Sequence, residues 1–362
     1  MTTYWLSMHL PYACRHSGAC CTSGWPIPVE QTRVAPLRVL RPDGRWLLPS
    51  ENAPAEIGGL LATDARGHCL FFDARKRERS DGHCEIHRAL GQEALPSACQ
   101  HFPRECLIDG RGVFVTLSHY CPTAASLLFD DAVSVAIVEG PAVLPSGEPE
   151  GLDAREALPP LLRPGMLMDR VSYSLWEAHM VRRLTGTDHL PESVLDSLEA
   201  EAHALSDWQP SDGTLADAVG SLSASIEASL DPPLDWPRER ALFAVAVKSL
   251  APEGWPDYPD EVARLWREKV AVGWRHHRRI INRFVAAHAF ASWWAYQGSG
   301  VQSQIVRLRL ALAVLRAESI RSCADHGAAL NTDLLKSAIR QTDLLIVHLI
   351  DRGRLAEYLQ TP

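Results

Sequence analysis

The chain has 362 residues, 46% of them hydrophobic, enough to bury a real core and to fill two domains. No uninterrupted apolar stretch is long enough to span a bilayer, so a soluble protein with no membrane partner is expected. The net charge of −8 and the lack of a recognisable nucleic-acid module make nucleic acid an unexpected partner.

The segment up to Cys14 has no basic n-region, no continuous apolar core and no small-residue cleavage site, so it does not read as a secretory signal. A cytoplasmic location is therefore expected, and in a reducing compartment clustered thiols favour metal over cystine. From Met1 to about Asp130 the sequence is rich in Cys, His, Gly and Pro with short apolar runs, which predicts a loop-rich unit held by metal. Strands are predicted at Trp25–Val29 and at Gly112–Leu117, the second after an Asp109-Gly110 turn. Residues 1–137 are expected to form this domain, 138–164 a Pro/Gly-rich linker and 165–362 a helical domain. Helices are predicted at Met166–Leu184, Pro191–Ser206, Gly213–Leu230, Arg238–Ser249, Asp260–Tyr296, Ser303–Arg321 and Thr332–Leu359. In the last, Leu334, Leu335, Ile339, Leu344, Leu345, Val347 and Leu349 give the broad apolar face of a bundle helix. The expected fold class is mainly α: a small cysteine-rich metal- or cluster-binding domain with short strands, then an α-helical bundle.

Eight of the nine cysteines, Cys14, Cys20, Cys21, Cys69, Cys84, Cys99, Cys106 and Cys121, fall in the first third, and all eight are candidate metal ligands. The first group runs Cys14-Arg15-His16-Ser17-Gly18-Ala19-Cys20-Cys21, where Gly18 lets the backbone curl so that the flanking thiolates face one centre. Adjacent Cys20 and Cys21 cannot point the same way on an extended chain, so either a turn brings them together or they serve different metals. The second group comprises Gly67-His68-Cys69, Gly82-His83-Cys84-Glu85-Ile86-His87 and Cys99-Gln100-His101-Phe102-Pro103-Arg104-Glu105-Cys106; the third is Ser118-His119-Tyr120-Cys121-Pro122. Thiolate-rich donor sets select zinc, copper(I) or iron–sulfur, and eight thiols allow two zinc sites or one four-thiolate cluster with spare cysteines. Among the neighbouring histidines His16, His68, His83, His87, His101 and His119, most read as polar surface or as donors that orient a ligand. His87 is the best alternative ligand, because Cys84 and His87 share one side of a helical turn, and His16 is the next.

These motifs resemble the YkgJ-type cysteine-cluster proteins, described as zinc- or iron-chelating, and within them the FliB-type flagellin lysine-N-methylases. The family pattern is an aromatic followed by C-x-x-C-G-x-C-C, then C-P-F-L, a Cys-x-Ile-Tyr segment, and a Cys followed by an aromatic and Pro. It is matched by Tyr12–Cys21, Cys69–Phe72, Cys84–Ile86 with His87 in the Tyr place, and Cys99–Pro103. Gly24-Trp25, Phe102–Arg104 and Ser118–Pro122 match further FliB-type features, so the resemblance covers residues 9 to about 128. Ser17 takes the place of a cysteine; its hydroxyl is a poor ligand for a soft metal, and His16 or Cys106 could compensate. The resemblance implies a [4Fe-4S] cluster, with Zn2+ as the alternative, S-adenosylmethionine as methyl donor, and N-methylation of lysines on a protein substrate such as flagellin. A lysine must lose its proton to accept a methyl group, and Asp81, Glu85 and His101 are candidate acceptors for it. The competing expectation is a non-catalytic protein in which zinc or iron is structural, stored or sensed and the helical domain binds a partner.

Arg275, Arg278 and Arg279, with Asn282 and Arg283, fall on one side of a predicted helix, as either a solvated basic face or an anion site for a cofactor's carboxylate or phosphate. Trp266, Trp274, Trp293 and Trp294 read as helix packing, with an aromatic cage around a methylammonium group as the sharper alternative. The sequence contains no G-x-G-x-x-G, P-loop, G-x-S-x-G or H-E-x-x-H, so a Rossmann methyltransferase is not expected.

Overall fold

A computed structural model describes residues 1–50, 53–73, 84–142, 151–222, 234–250 and 254–360; Asp81 and His83 lie outside these ranges. The N-terminal part runs β1 (Thr3–Leu6), β2 (Pro28–Glu30), α1 (Gln31–Leu40), β3 (Leu47–Leu48) and β4 (Ile57–Leu61). It continues with α2 (Glu85–Leu90), α3 (Ser97–His101), β5 (Arg104–Asp109), β6 (Gly112–Leu117) and α4 (Pro122–Leu127). Four short strands follow, β7 (Ile137–Glu139), β8 (Gly151–Asp153), β9 (Leu161–Arg163) and β10 (Met166–Leu167). The remainder is α5 (Arg170–Thr185), α6 (Pro191–Asp207), α7 (Leu215–Gly220), α8 (Trp236–Lys248) and α9 (Val262–Leu265), then α10 (Ala271–His276), α11 (Arg278–Ala289), α12 (Val301–Asp325), α13 (Thr332–Asp343) and α14 (Arg352–Gln360). The protein is mainly α, and among the described residues no helix is long and apolar enough to cross a membrane.

The β5–β6 hairpin sorts its side chains by the two-residue alternation of a strand. Cys106 lies opposite Val115 and Ile108 opposite Val113, and these pack with Trp5, Leu117 and Ala124 of α4. Leu107 opposite Phe114 points to the other face and joins the core of the helices. β1 runs parallel to β6, giving the order β7-β1-β6-β5-β8. Part of the stretch expected as a linker is therefore sheet, with β7 and β8 as its edges and β9–β10 as a separate hairpin. Gly151 explains the difference: a Cβ there would collide with the carbonyl oxygen of Cys106, so this glycine permits close strand approach instead of a flexible joint. A second, three-stranded sheet, β2-β4-β3, carries α1 and a separate core of Val29, Leu37, Trp46, Phe71 and Ile86.

Four predicted helices differ from those observed, three of them where the backbone bonds elsewhere. The helix expected from Met166 starts at Arg170, because β10 pairs with β9 and the Asp169 carboxylate caps the backbone N–H groups of Val171 and Ser172. The span Asp260–Tyr296 is interrupted by a π-helical turn at Trp266–Val270 and by a break at His277. It ends at Ala289, where the Ala291 N–H donates to the buried Glu177 carboxylate at 3.0 Å. The span Thr332–Leu359 passes through a π-helical turn at Leu344–Leu349 and an extended Ile350 that bridges to Leu250. Of Gly213–Leu230 the helix occupies Leu215–Gly220, and 223–230 lie outside the described residues.

The 25-residue α12 is buried on most sides and packs against α6, α8, α11 and α13. Its Arg316 is fully buried, paired with Glu192 and Glu239 and lying 5.3 and 5.2 Å from the rings of Trp266 and Trp274. Two of the four clustered tryptophans thus surround a cation of the protein itself, while Trp293 and Trp294 stack on each other at 5.1 Å.

Arg316→Ala strands two carboxylates in the helical core, and removing one partner of a buried pair costs about 3–5 kcal/mol. Urea unfolding should show a loss of that size, whereas Arg264→Ala, at an exposed ion pair, should leave the midpoint where it was. Equal midpoints for the two variants would contradict the core role of Arg316.

Candidate metal centre

Gly18 adopts a left-handed backbone, φ +73°, and so lets Ala19–Cys21 form a single 3-10 turn. That turn answers the problem of the adjacent thiols: the Sγ atoms of Cys20 and Cys21 stand 4.0 Å apart. His16 is also left-handed, φ +53°, a conformation that a non-glycine residue holds only when its surroundings impose it. Its N–H approaches Cys14 Sγ at 3.4 Å, and Ser17 Oγ accepts from the Ala19 N–H at 3.4 Å, so Ser17 serves the turn. Cys84 and Cys121 stand at the N-termini of α2 and α4, and Cys99 lies within α3.

These segments enclose one cavity of about 180 Å³ lined by Cys14, Cys20, Cys21, Cys84, Cys99 and Cys121, with His16, His87 and Arg104. Six of the eight predicted thiols are brought together, and the two alternative histidines join them, their rings 4.6 Å apart. Cys69 sits behind the wall in the core of Val29 and Trp46, its N–H bonded to the Cys21 carbonyl at 2.8 Å. Cys106 faces Trp5 and Val115 across the sheet and does not line the cavity.

Crowding sets the thiols apart electrostatically. Cys84 accepts a hydrogen bond from Cys21, which holds it down to about 7 despite burial, whereas burial pushes Cys69 up to about 12 and raises Cys99 as well. Four thiolates at about 2.3 Å around one zinc would stand roughly 3.8 Å apart. The Cys20–Cys21 pair approaches that spacing, but among the described residues no three thiols lie within 4.8 Å of one another. An iron–sulfur cluster spreads its ligands, since each thiolate binds a different iron, and the donor set around this cavity fits such a group.

The other predicted residues lie elsewhere. Asp188 accepts from Arg279 at 2.6 Å and pairs with Arg278 at 3.6 Å, while Arg283 donates to the carbonyls of Leu128, Asp130 and Val133. Arg275 lines a different cavity with Trp266 and Trp274. Glu85 is paired with Arg41 at 2.6 Å, and His101 is fully buried with neither ring nitrogen hydrogen-bonded among the described residues. Sequence reasoning missed Asp343, His288 and His348: Trp25 stacks on His348 at 4.2 Å, and Asp343 contacts both His288 and His119. Nothing in their spacing relates these distant positions; the only signal was His119 beside Cys121.

In the metal-free chain, a brief iodoacetamide pulse at pH 8 should mark Cys84 well ahead of Cys69, because only the former is mostly thiolate there. Moving to pH 6 protonates Cys84 and should slow its labelling roughly tenfold. Peptide mass mapping checks this, and equal labelling of the two at pH 8 would contradict the arrangement. Comparison with protein-family models, with curated proteins and with solved structures finds no match to this chain.

Proposed function

We propose that the thiol-lined cavity holds a [4Fe-4S] cluster and that the protein N-methylates lysine side chains of a protein substrate, of which flagellin is one, with S-adenosylmethionine as donor. The observation that carries the first half is the convergence of six thiols from separate chain segments on one cavity. Cys20, Cys21, Cys84 and Cys99 would hold the cluster, since Cys21 bonds to Cys84 and Cys99 feels the charges of Cys20 and Cys84. When bound, such a group supplies one-electron chemistry.

The second half rests on the resemblance of residues 9 to about 128 to the lysine methylases, and it is supported by an adjoining cavity. This space of about 310 Å³ is lined by Trp25, Phe102, Arg104, Glu105 and His348, and Phe102 and Arg104 also line the thiol cavity. Aromatic faces and a carboxylate suit an alkylammonium group. The lysine must reach the donor as a neutral amine, so Glu105 or His348 takes its proton before the nitrogen attacks the methyl carbon and the sulfonium departs as a thioether. A second reading, a non-catalytic zinc protein, is favoured by the Cys20–Cys21 spacing alone.

Anaerobic purification followed by iron, acid-labile sulfide and absorption measurements should find about four of each per chain and a broad visible band. Cys20→Ala and Cys99→Ala should lose the band, and Cys106→Ala should keep it. A colourless protein with zinc and no sulfide would sink the cluster and support the second reading. With the cluster in place, transfer of labelled methyl to a lysine-bearing protein such as flagellin, read by mass spectrometry, tests the activity.

A further inference from the structure

We infer that His119, His288 and Asp343 form a second metal site, built from nitrogen and oxygen donors, for a divalent first-row transition-metal ion. The three come from the loop before α4, from α11 and from the last residue of α13, and one donor atom of each lies within 4.8 Å of the other two. The Asp343 carboxylate is fully buried and turns its two oxygens to different partners. His288 Nε2 stands 2.8 Å from Oδ1 and His119 Nδ1 3.1 Å from Oδ2, while the backbone N–H of His119 donates to Oδ2 at 2.5 Å. Neighbouring donors around an ion with bonds of about 2.1 Å stand roughly 3.0 Å apart in an octahedral shell and roughly 3.4 Å apart in a tetrahedral one, so these separations lie nearer the octahedral value. Two imidazoles and a carboxylate suit ferrous iron or zinc, being too hard for copper(I) and too rich in nitrogen for calcium or magnesium.

A purely hydrogen-bonded strut between sheet and helices would use the same contacts, but two features go beyond it. The first is His9, fully buried, with Nε2 3.3 Å from His119 Nε2 and with Nδ1 lacking a partner among the described residues. A strut gains nothing from a third imidazole left half satisfied. Beside an ion, it accepts from the far nitrogen of His119 and so fixes the ring with Nδ1 free to coordinate, as metal-binding imidazoles require. The second feature is access. His288 also lines a cavity of about 50 Å³ with Glu105, Thr116, Trp294 and Arg307, so this one of the three donors borders space large enough for a water. The π-helical turn that begins directly after Asp343 fits this picture, since such turns recur where a side chain is re-aimed at a functional site. The inference does not depend on what fills the thiol cavity.

Cobalt(II) reads the two sites separately, because thiolate-bound cobalt carries intense sulfur charge transfer and imidazole- or carboxylate-bound cobalt does not. Titrated anaerobically into the chelator-stripped full chain, it should bind with one equivalent more in the wild type than in Asp343→Asn or His288→Ala. The difference spectrum should show visible d–d bands without sulfur charge transfer. Equal uptake by the wild type and both variants overturns the inference, as does a difference spectrum dominated by sulfur. Circular dichroism reports whether the variants fold. Should they not, a Cys20→Ala, Cys99→Ala chain loaded with zinc decides by X-ray absorption. One retained ion with a nitrogen/oxygen shell at about 2.0–2.1 Å is expected, and no retained zinc, or a sulfur shell alone, overturns the site.

Discussion

The guanidinium of Arg111 holds the sheet in register with the helices, and the loop that carries Cys121 to the cavity leaves directly from that sheet. It sits in the β5–β6 turn, 2.9 Å from Asp109 and 3.0 Å from Glu177 of α5, and packs on Phe114 and Tyr173 with ring distances of 4.1 and 4.5 Å. Its partners pass the tie onward: Glu177 accepts from the Ala291 N–H, and Asp109 accepts from the Tyr296 hydroxyl at 2.6 Å. Burial pushes the Glu177 carboxyl up and Arg111 beside it opposes the shift, so neither charge is tolerable in the core without the other. One turn therefore fixes the hairpin against α5 and against the segment that follows α11. It also explains why α11 cannot continue as the long helix its sequence suggests.

The Ser118–Pro122 loop begins where that hairpin ends, and it serves both halves of the molecule at once. Ser118 contacts His348 at 2.7 Å, the His119 N–H meets Asp343, the Tyr120 hydroxyl donates to the Thr22 carbonyl at 3.2 Å, and Cys121 faces the thiol cavity. Arg340 of α13 adds a hydrogen bond to the Tyr120 carbonyl at 3.0 Å, and Pro122 then opens α4, where its missing N–H is no loss. Five consecutive residues thus tie the 3-10 turn of Cys20 and Cys21 to the end of α13. His119, which meets Asp343, and Cys121, which lines the thiol cavity, are two residues apart on this loop.

What the sequence made legible followed from local rules. The β6 strand was read with its observed ends from GVFVTL after the Asp109-Gly110 turn, and the helices expected at Pro191–Ser206, Arg238–Ser249 and Ser303–Arg321 overlap α6, α8 and α12. The gathering of Cys14, Cys20, Cys21, Cys84, Cys99 and Cys121 was legible because residues of unusual chemistry were dense in one region. What was not legible was competition for backbone groups by distant side chains. Glu177 takes the Ala291 N–H, and Arg307 donates to the Ile346 carbonyl at 2.9 Å, and neither appears in a hydrophobic pattern. The basic stretch at Arg275–Arg283 was open to a solvated face or an anion site, and its partners Asp188 and the carbonyls after α4 were out of view because they lie far off in sequence. Trp25, Phe102 and Tyr120 were quoted as separate motif residues, and only the fold shows that they form one aromatic wall.

The chain contains two kinds of cysteine, and the contrast between them argues for an occupant in the cavity. Cys106 and Cys323 are 2% and 0% exposed and are packed among Val, Leu and Ile, which is how a small hydrophobe behaves in a core. Cys69, buried behind the wall, belongs with them. The six cavity thiols border a space shared with His16, Ser17, Gln92, Gln100 and Arg104, while Cys21 and Cys121 also belong to apolar clusters. Burial raises the Cys14 and Cys99 thiols while Cys21 holds Cys84 low, so a cation entering that space would release protons as thiolates formed around it.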